Sequence, residues 1–351
     1  MRNFIHRMIV NLVRREGNQM KAIQYERFGG PEVLQYVDVP DPVPQAGEVL
    51  VRTIGIGVNF PDIRERSGVY NQSETRVGGV TLPNVSGLAV TGRVVEVGDG
   101  VDHALIGRSV VAMLKVGGYA ELAVANAALT VPLPDGVDPI QMAGIAAQGV
   151  CAHLLLQAST ELRSGESILI HGAAGGVGGI AVQIAKSLGA SPIIGTASTQ
   201  SRRDFVESLG ADVAIGYDDP AWPEQVREIT EGHGVDVLIE SIGGDVFEQN
   251  FRALADFGRY LLLGSTRGPG DPFAPRRLMT HSQALIGFYL PVFYSRPELI
   301  ARGLDFLAGE LAAERLAPMV ERVMPLRDAA DAQRMLEDRS VHGVLVLDPA
   351  A

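Results

Sequence analysis

The run Ser167-Ile-Leu-Ile-His-Gly-Ala-Ala-Gly-Gly-Val-Gly178 places an apolar, β-branched triplet directly before a cluster of glycines. Such a cluster offers backbone N–H groups instead of side chains, which suits an anion that must approach the main chain closely. Beyond it, apolar residues recur at Val177, Ile180, Ala181, Ile184, Ala185 and Leu188, the spacing of a helix face pressed on a sheet. A helix starting in the glycines aims its unpaired N–H groups and the positive end of its dipole into the turn. Against the dinucleotide fingerprint Gly-x-Gly-x-x-Gly, Ala173 stands for the first glycine, and Gly175 and Gly178 keep their offsets. Gly175, Gly176, Val177 and Gly178 are therefore the expected pyrophosphate cradle; a tight structural turn is the alternative for the glycines alone.

An NAD site carries an acid about twenty residues beyond the first fingerprint position, where it binds the ribose 2′-hydroxyl. Here Pro192 to Arg203 contains no acid, and the first one is Asp204. Ser198, Thr199 and Ser201 offer hydroxyls, while Arg202 and Arg203 offer guanidinium groups suited to a phosphate. The pattern predicts a 2′-phosphate pocket and NADPH as cofactor; a solvated helix start is the alternative for the arginine pair. Ser241, Gly243 and Gly264 fall at the ends of expected strands, where such a sheet meets its cofactor.

These groups need a scaffold. From Met20 to about Pro132, short β-rich runs alternate with Pro/Gly turns such as Phe28-Gly-Gly-Pro31, predicting a compact, mostly antiparallel, barrel-like unit. An alanine-rich helix from about Pro139 to Leu156 follows as a connector. From about Glu166 to Tyr289 strands alternate with helices, the pattern of a doubly wound parallel sheet, so the fold class is α/β. The helices and strand after Pro297 do not extend that alternation and are expected to return to the first unit.

At 351 residues two domains are expected, and 46% hydrophobic with 20% charged residues describes a folded body. The net charge of −11, with no Lys/Arg block, argues against nucleic acid or an anionic membrane as partner. The single cysteine, Cys151, excludes an internal disulfide and a multi-cysteine zinc site, and fits a reducing, cytoplasmic location. Residues 1–19 are basic and expected to be a flexible extension. No other segment carries eighteen apolar residues in a row, so no membrane span is expected.

Four stretches taken in order resemble the zinc-free branch of the medium-chain dehydrogenase/reductase superfamily, specifically the zeta-crystallin-like quinone oxidoreductases. They are Gly57-Val-Asn-Phe-Pro-Asp-Ile-Arg-Glu-Arg-Ser-Gly68, Gly117-Gly-Tyr-Ala-Glu121, His171 to Gly178, and Glu240-Ser-Ile-Gly-Gly-Asp245. The resemblance implies a GroES-like catalytic domain at 20–142 and 289–351 with a Rossmann domain at 143–288 inserted, and a homodimer or homotetramer. Where zinc-dependent relatives carry their ligands, this chain has Asn59, Leu88 and Ala147, so no metal is expected. The implied chemistry is hydride transfer from NADPH to a quinone or activated alkene. An enoyl or alkenal reductase of a lipid-like or polyketide substrate is the alternative, and a non-catalytic NADPH-binding protein is the alternative of another class. Asn59 matches an asparagine that orients the acceptor carbonyl, and Tyr70 is a second candidate facing the cleft. Arg202 and Tyr217 match contacts to the adenosine phosphate, and Gly287 to Tyr289, centred on Phe288, match backbone near the nicotinamide. Arg64 and Val344 depart from the family's usual tyrosine and lysine. Asp62 is expected to serve a turn or salt bridge, His171 to position its neighbours, and Cys151 to pack.

Overall fold

The structure is a computed structural model that describes residues 18–72, 80–268, 270, 272–317 and 319–351. The expected extension at 1–19 lies outside the described residues except for its last two, and Gln19 already opens the first strand.

Strand β1 (Gln19–Tyr25) pairs antiparallel with β2 (Gln35–Pro40) and, on its other side, with the two-residue β4 (Asn84–Val85). The larger sheet is built on β3 (Glu48–Val58), whose eleven residues serve two neighbours on one side. Its first half pairs with β7 (Leu122–Asn126) and its end with β16 (Val344–Asp348), with Leu345 opposite Val58. On the other side follow β5 (Ala89–Val97), β6 (Ser109–Met113) and β8 (Thr130–Pro132), all antiparallel. The outermost strand, β15 (Val320–Pro325), pairs parallel with β16. The barrel expected from the sequence is not closed: β15 and β8 end the path, and no ladder joins them among the described residues.

The second sheet has six parallel strands in the order β11 (Val213–Ile215), β10 (Ile193–Thr196), β9 (Ile168–Ile170), β12 (Val235–Glu240), β13 (Leu254–Leu262) and β14 (Ala284–Gly287). Chain order reverses between β9 and β12, which makes that junction the switch point of a doubly wound sheet. All three residues of β9 are buried, as covering helices on both faces require.

Helices α1 (Phe60–Arg66), α2 (Pro139–His153), α3 (Gly176–Ser187), α4 (Gln200–Ser208), α5 (Trp222–Ile229), α6 (Asp245–Ala253), α7 (Pro297–Ala312) and α8 (Ala329–Glu337) complete the frame. Helix α2, prolonged by a wide turn through Ser159, packs on β3, β5 and β6 and also on α3 and α7. The boundary expected between residues 142 and 143 cuts this helix, whose two faces serve both sheets. By length and composition Pro139–Ser159 would suit a membrane span, yet 72% of it is buried inside the protein, where an all-round apolar helix belongs. Strand β15 escapes the sequence reading because Glu321, Arg322 and Val323 are all exposed, so no apolar alternation marks it.

Candidate active site at the ends of the parallel strands

Between β9 and α3 the chain turns through Gly172, at φ 63°, and enters the helix at Gly176 with Gly175 as its N-terminal cap. No side chain caps this end, so its first N–H groups are left for a ligand. Gly178 meets fixed backbone, whereas Gly176 meets the movable end of a side chain. A Cβ on Gly178 would lie 2.4 Å from the Gly172 carbonyl oxygen, and one on Gly176 would fall 1.4 Å from Gln148 Oε1. This backbone cradle over a helix start fits a pyrophosphate.

Because the six strands are parallel, the residues that follow them share one edge. Ser198 follows β10, Tyr217 follows β11, Ser241 follows β12, Gly264 follows β13 and Phe288 follows β14. Ser198 is exposed; Ser241 Oγ reaches back to the His171 carbonyl at 3.4 Å. Phe288 is buried, stacks on Phe293 at 5.2 Å and donates its N–H to the Leu262 carbonyl. Arg202 begins α4 but turns one guanidinium nitrogen to the carbonyls of Arg339 and Val341, at 2.5 and 3.3 Å. Its remaining N–H groups are the ones left for a 2′-phosphate. Arg203 is engaged with the Ala197 carbonyl and Gln200 Oε1. The Arg267 guanidinium lies 5.0 Å over the Tyr217 ring, a cation at this edge that the sequence reading missed.

Beneath the edge runs a buried polar chain. Asn250 Nδ2 donates to Glu240 Oε2 and to the Tyr260 hydroxyl, so its Oδ1 is left to accept from His171 Nε2 at 2.7 Å. That assigns the proton to Nε2 and makes Nδ1 the acceptor of the Thr196 hydroxyl at 3.0 Å. Burial holds the imidazole below its ordinary pKa despite the nearby Glu240 charge, so His171 is neutral and positional. Glu240 Oε1 accepts the N–H groups of Ile242 and Gly243, fixing the loop that carries Ser241.

On the opposite wall Asn59 is 2% exposed. Its Nδ2 donates to the Gly57 carbonyl at 3.0 Å, which leaves a second N–H on that nitrogen. Its Oδ1 accepts from Gln148 Nε2 at 3.3 Å, and Gln148 is the side chain that abuts Gly176. The structure thus brings Asn59 to the cradle through one residue that the sequence reading passed over. Gln148 is the lone polar side chain between Met142 and Val150, and that anomaly was the available signal. Asp62 is fully buried and makes no salt bridge among the described residues; it accepts from the Asn59 N–H at 2.8 Å and the Tyr119 hydroxyl at 3.0 Å. Burial pushes its carboxyl up to about 7, against the pull of those hydrogen bonds. Arg64 is half-buried on α1, and Tyr70 lies half-buried on the single turn Val69–Gln72 that follows. Burial pushes the Cys151 thiol up to about 12, so it is not a thiolate nucleophile. Leu88 and Ala147 sit in the apolar core, and no group of three His, Cys, Asp or Glu suited to a metal occurs among the described residues.

A glycine cradle at the switch point of a parallel sheet, faced by a buried asparagine from an antiparallel unit, defines a two-sheet nucleotide-dependent oxidoreductase. Residues 45–135 match the alcohol dehydrogenase GroES-like domain and residues 176–307 match the zinc-binding dehydrogenase family. A quinone oxidoreductase of Pseudomonas aeruginosa is 33% identical over 94% of this chain and 99% of its own. A 2-haloacrylate reductase of a Burkholderia species is 33% identical over 95% and 99%. The structure of the Escherichia coli quinone oxidoreductase complexed with NADPH superposes with a TM-score of 0.84 at 30% identity, covering 94% of this chain and 100% of that one. The chain belongs to the quinone oxidoreductase family of the medium-chain dehydrogenase/reductases.

Proposed function

We propose that this enzyme transfers a hydride from NADPH to a quinone or an activated alkene without a metal. That it is an NADPH-dependent, quinone oxidoreductase-like enzyme follows from its family. The observation that carries the finer reading is the Asn59–Gln148–Gly176 juxtaposition, which sets an amide donor one side chain from the cofactor cradle. When bound, the reduced nicotinamide is the source of the hydride.

The residues of the chain do the rest. Gly175, Gly176, Val177 and Gly178 form the pyrophosphate cradle, with the N–H groups beyond the Gly175 cap turned to the ligand while that of Gly175 holds the Gly172 carbonyl. Ser198, Arg202 and Tyr217 border the adenosine phosphate, while Ser241, Gly264 and Phe288 border the nicotinamide end. The second N–H of the Asn59 amide is the group that polarises the acceptor carbonyl as negative charge develops there, and Tyr70 lines the same side. Asn59, Leu88 and Ala147 in place of ligands argue for metal-free chemistry. The reading assigns 20–142 and 289–351 to the catalytic unit and 143–288 to the cofactor unit, with α2 shared. A homodimer or homotetramer in the cytoplasm, with no nucleic-acid or membrane partner, completes it.

The name of the Burkholderia relative favours an activated alkene as a second acceptor class. Purified protein mixed with NADPH and a panel of quinones and enones, followed by loss of NADPH absorbance, tests both. Oxidation by one class identifies the acceptor. Tight NADPH binding with no oxidation across the panel would instead make this a non-catalytic NADPH-binding protein.

A further inference from the structure

We propose that Asp62 is a positioning residue for the acceptor site: its carboxylate fixes the Asn59 backbone, and its protonation loosens that grip. The inference rests on the reading that Asn59 holds the acceptor.

Both donors converge on one oxygen. The Asn59 N–H and the Tyr119 hydroxyl each donate to Asp62 Oδ2, at 2.8 and 3.0 Å. Asn59 is the cap residue before α1, so its amide lies outside the helix's own ladder and Asp62 is what fixes it. A carboxylate with no exposure and no paired cation among the described residues is costly to keep. Tyr119 is equally buried and brings the second bond from the far side, so the oxygen is clamped between two segments that the chain separates by 57 residues. The helix leaves no slack, because Arg66, one turn on, is buried and pairs with Glu337 of α8 at 2.5 Å.

Burial favours the neutral form of Asp62, while the hydrogen bonds it accepts favour the charged one. Glu65 and Arg66 lie on its own helix, Tyr25 comes from β1, Tyr119 from the segment before β7, and Tyr294 from beyond β14; Glu337 is occupied by Arg66. The three tyrosines stand above their ordinary pKa, chiefly through burial, so they remain neutral donors across the working range. Between Asp62 and these tyrosines it is Asp62 that changes charge there, with its carboxyl at about 7. Above that pH the charged carboxylate accepts both donors at Oδ2; below it the proton goes to Oδ1, which neither donor occupies, and the neutral group holds both donors more weakly.

Two measurements test this. In wild type, kcat/KM for the acceptor is expected to fall on acidification with a midpoint near 7, while NADPH affinity stays level. Asp62→Asn is expected to lose about tenfold in acceptor kcat/KM at about pH 8 and to show a flat profile. In parallel, the Asn59 amide is followed by two-dimensional NMR: it shifts with the same midpoint in wild type and does not titrate in Asp62→Asn. Should that variant fail to fold, Tyr119→Phe removes one donor that lowers the Asp62 pKa, and both midpoints are expected to move up. A pH-independent Asn59 amide in wild type overturns the proposal, as does a wild-type profile in Asp62→Asn or an unmoved midpoint in Tyr119→Phe. If no acceptor is turned over, the reading of Asn59 falls, and the amide titration still decides whether Asp62 governs its backbone.

Discussion

Gln148 joins the two walls of the site: its Nε2 donates to Asn59 Oδ1 at 3.3 Å, while its Oε1 occupies the space a Cβ on Gly176 would need. One side chain on α2 thus registers the acceptor residue against the start of the cradle helix. Gly176→Ala must push the Gln148 terminus aside, since 1.4 Å is far inside contact distance. The expected outcome is a loss of about tenfold or more in acceptor kcat/KM. Gln148→Leu should reproduce most of that loss with NADPH affinity unchanged, because it leaves the glycine backbone alone. Steady-state kinetics beside NADPH titration separates the two, and unaltered kinetics in Gln148→Leu would remove Gln148 from the site.

Cofactor choice is expected to depend on Arg202 and Arg203. Replacing both by glutamate puts negative charge at the entrance to α4, where the 2′-phosphate is placed. NADPH affinity should fall by about tenfold to a hundredfold, roughly 1.4–3 kcal/mol, with NADH affinity little changed. Arg203→Glu alone is the informative control. Arg202 also ties α4 to the distant carbonyls of Arg339 and Val341, whereas Arg203 bonds only locally, to the Ala197 carbonyl and Gln200 Oε1, so replacing Arg203 carries the smaller structural loss. Equal loss for NADPH and NADH, measured by fluorescence titration, would show that the pair holds the helix and not the phosphate.

Local chemistry was legible in the sequence and long-range pairing was not. The glycine turn announces itself because strand, turn and helix are contiguous and each obeys a local rule. Strands Ser109–Met113, Val213–Ile215 and Val235–Glu240 fall inside the β-rich and alternating stretches expected from Met20 to about Pro132 and from about Glu166 to Tyr289. The partners of His171 were hidden because Asn250 is 79 residues away. Asp62 was taken for a turn or salt-bridge residue, whereas its partner beyond the helix cap is a tyrosine hydroxyl brought in by the sheet. Helix α2 reads as a helix connecting the two units, but its packing against both was hidden, because periodicity reports that a face is apolar without saying what covers it.

Asp62 also sets a pH dependence of stability, with a sign opposite to that of a paired carboxylate. Its folded pKa of about 7 lies above the ordinary 3.8, so the folded protein binds this proton more tightly than the unfolded chain. The ionised group therefore costs stability above pH 7, and that cost is relieved as pH falls from about 7 toward 4. At 1.36 kcal/mol per unit the full effect is at most about 4 kcal/mol. Asp62→Asn, which never ionises, is expected to melt above wild type at about pH 8, with the margin shrinking by about pH 5. A margin that stays constant across that range would mean the carboxyl is not desolvated in solution.

The chain Thr196–His171–Asn250–Glu240 is expected to carry both stability and cofactor affinity, and Asn250 is its weakest point. Asn250→Leu removes the donor shared by Glu240 and Tyr260 and leaves the His171 Nε2 proton without its acceptor. Leaving a buried charge and a buried N–H short of partners costs about 3 kcal/mol or more. Tyr260→Phe takes away one hydroxyl while Asn250 still holds Glu240, so about 1 kcal/mol is expected. Denaturant unfolding should rank the two variants in that order. The second effect reaches the site, because Glu240 fixes the N–H groups of Ile242 and Gly243 beside Ser241. Once its other oxygen loses Asn250, the carboxylate is free to turn away from that loop, and NADPH binding should weaken about tenfold in Asn250→Leu but not in Tyr260→Phe. Equal NADPH affinity in both variants, with the stability ranking intact, would confine the network to the core and leave the loop held by its own glycine turn.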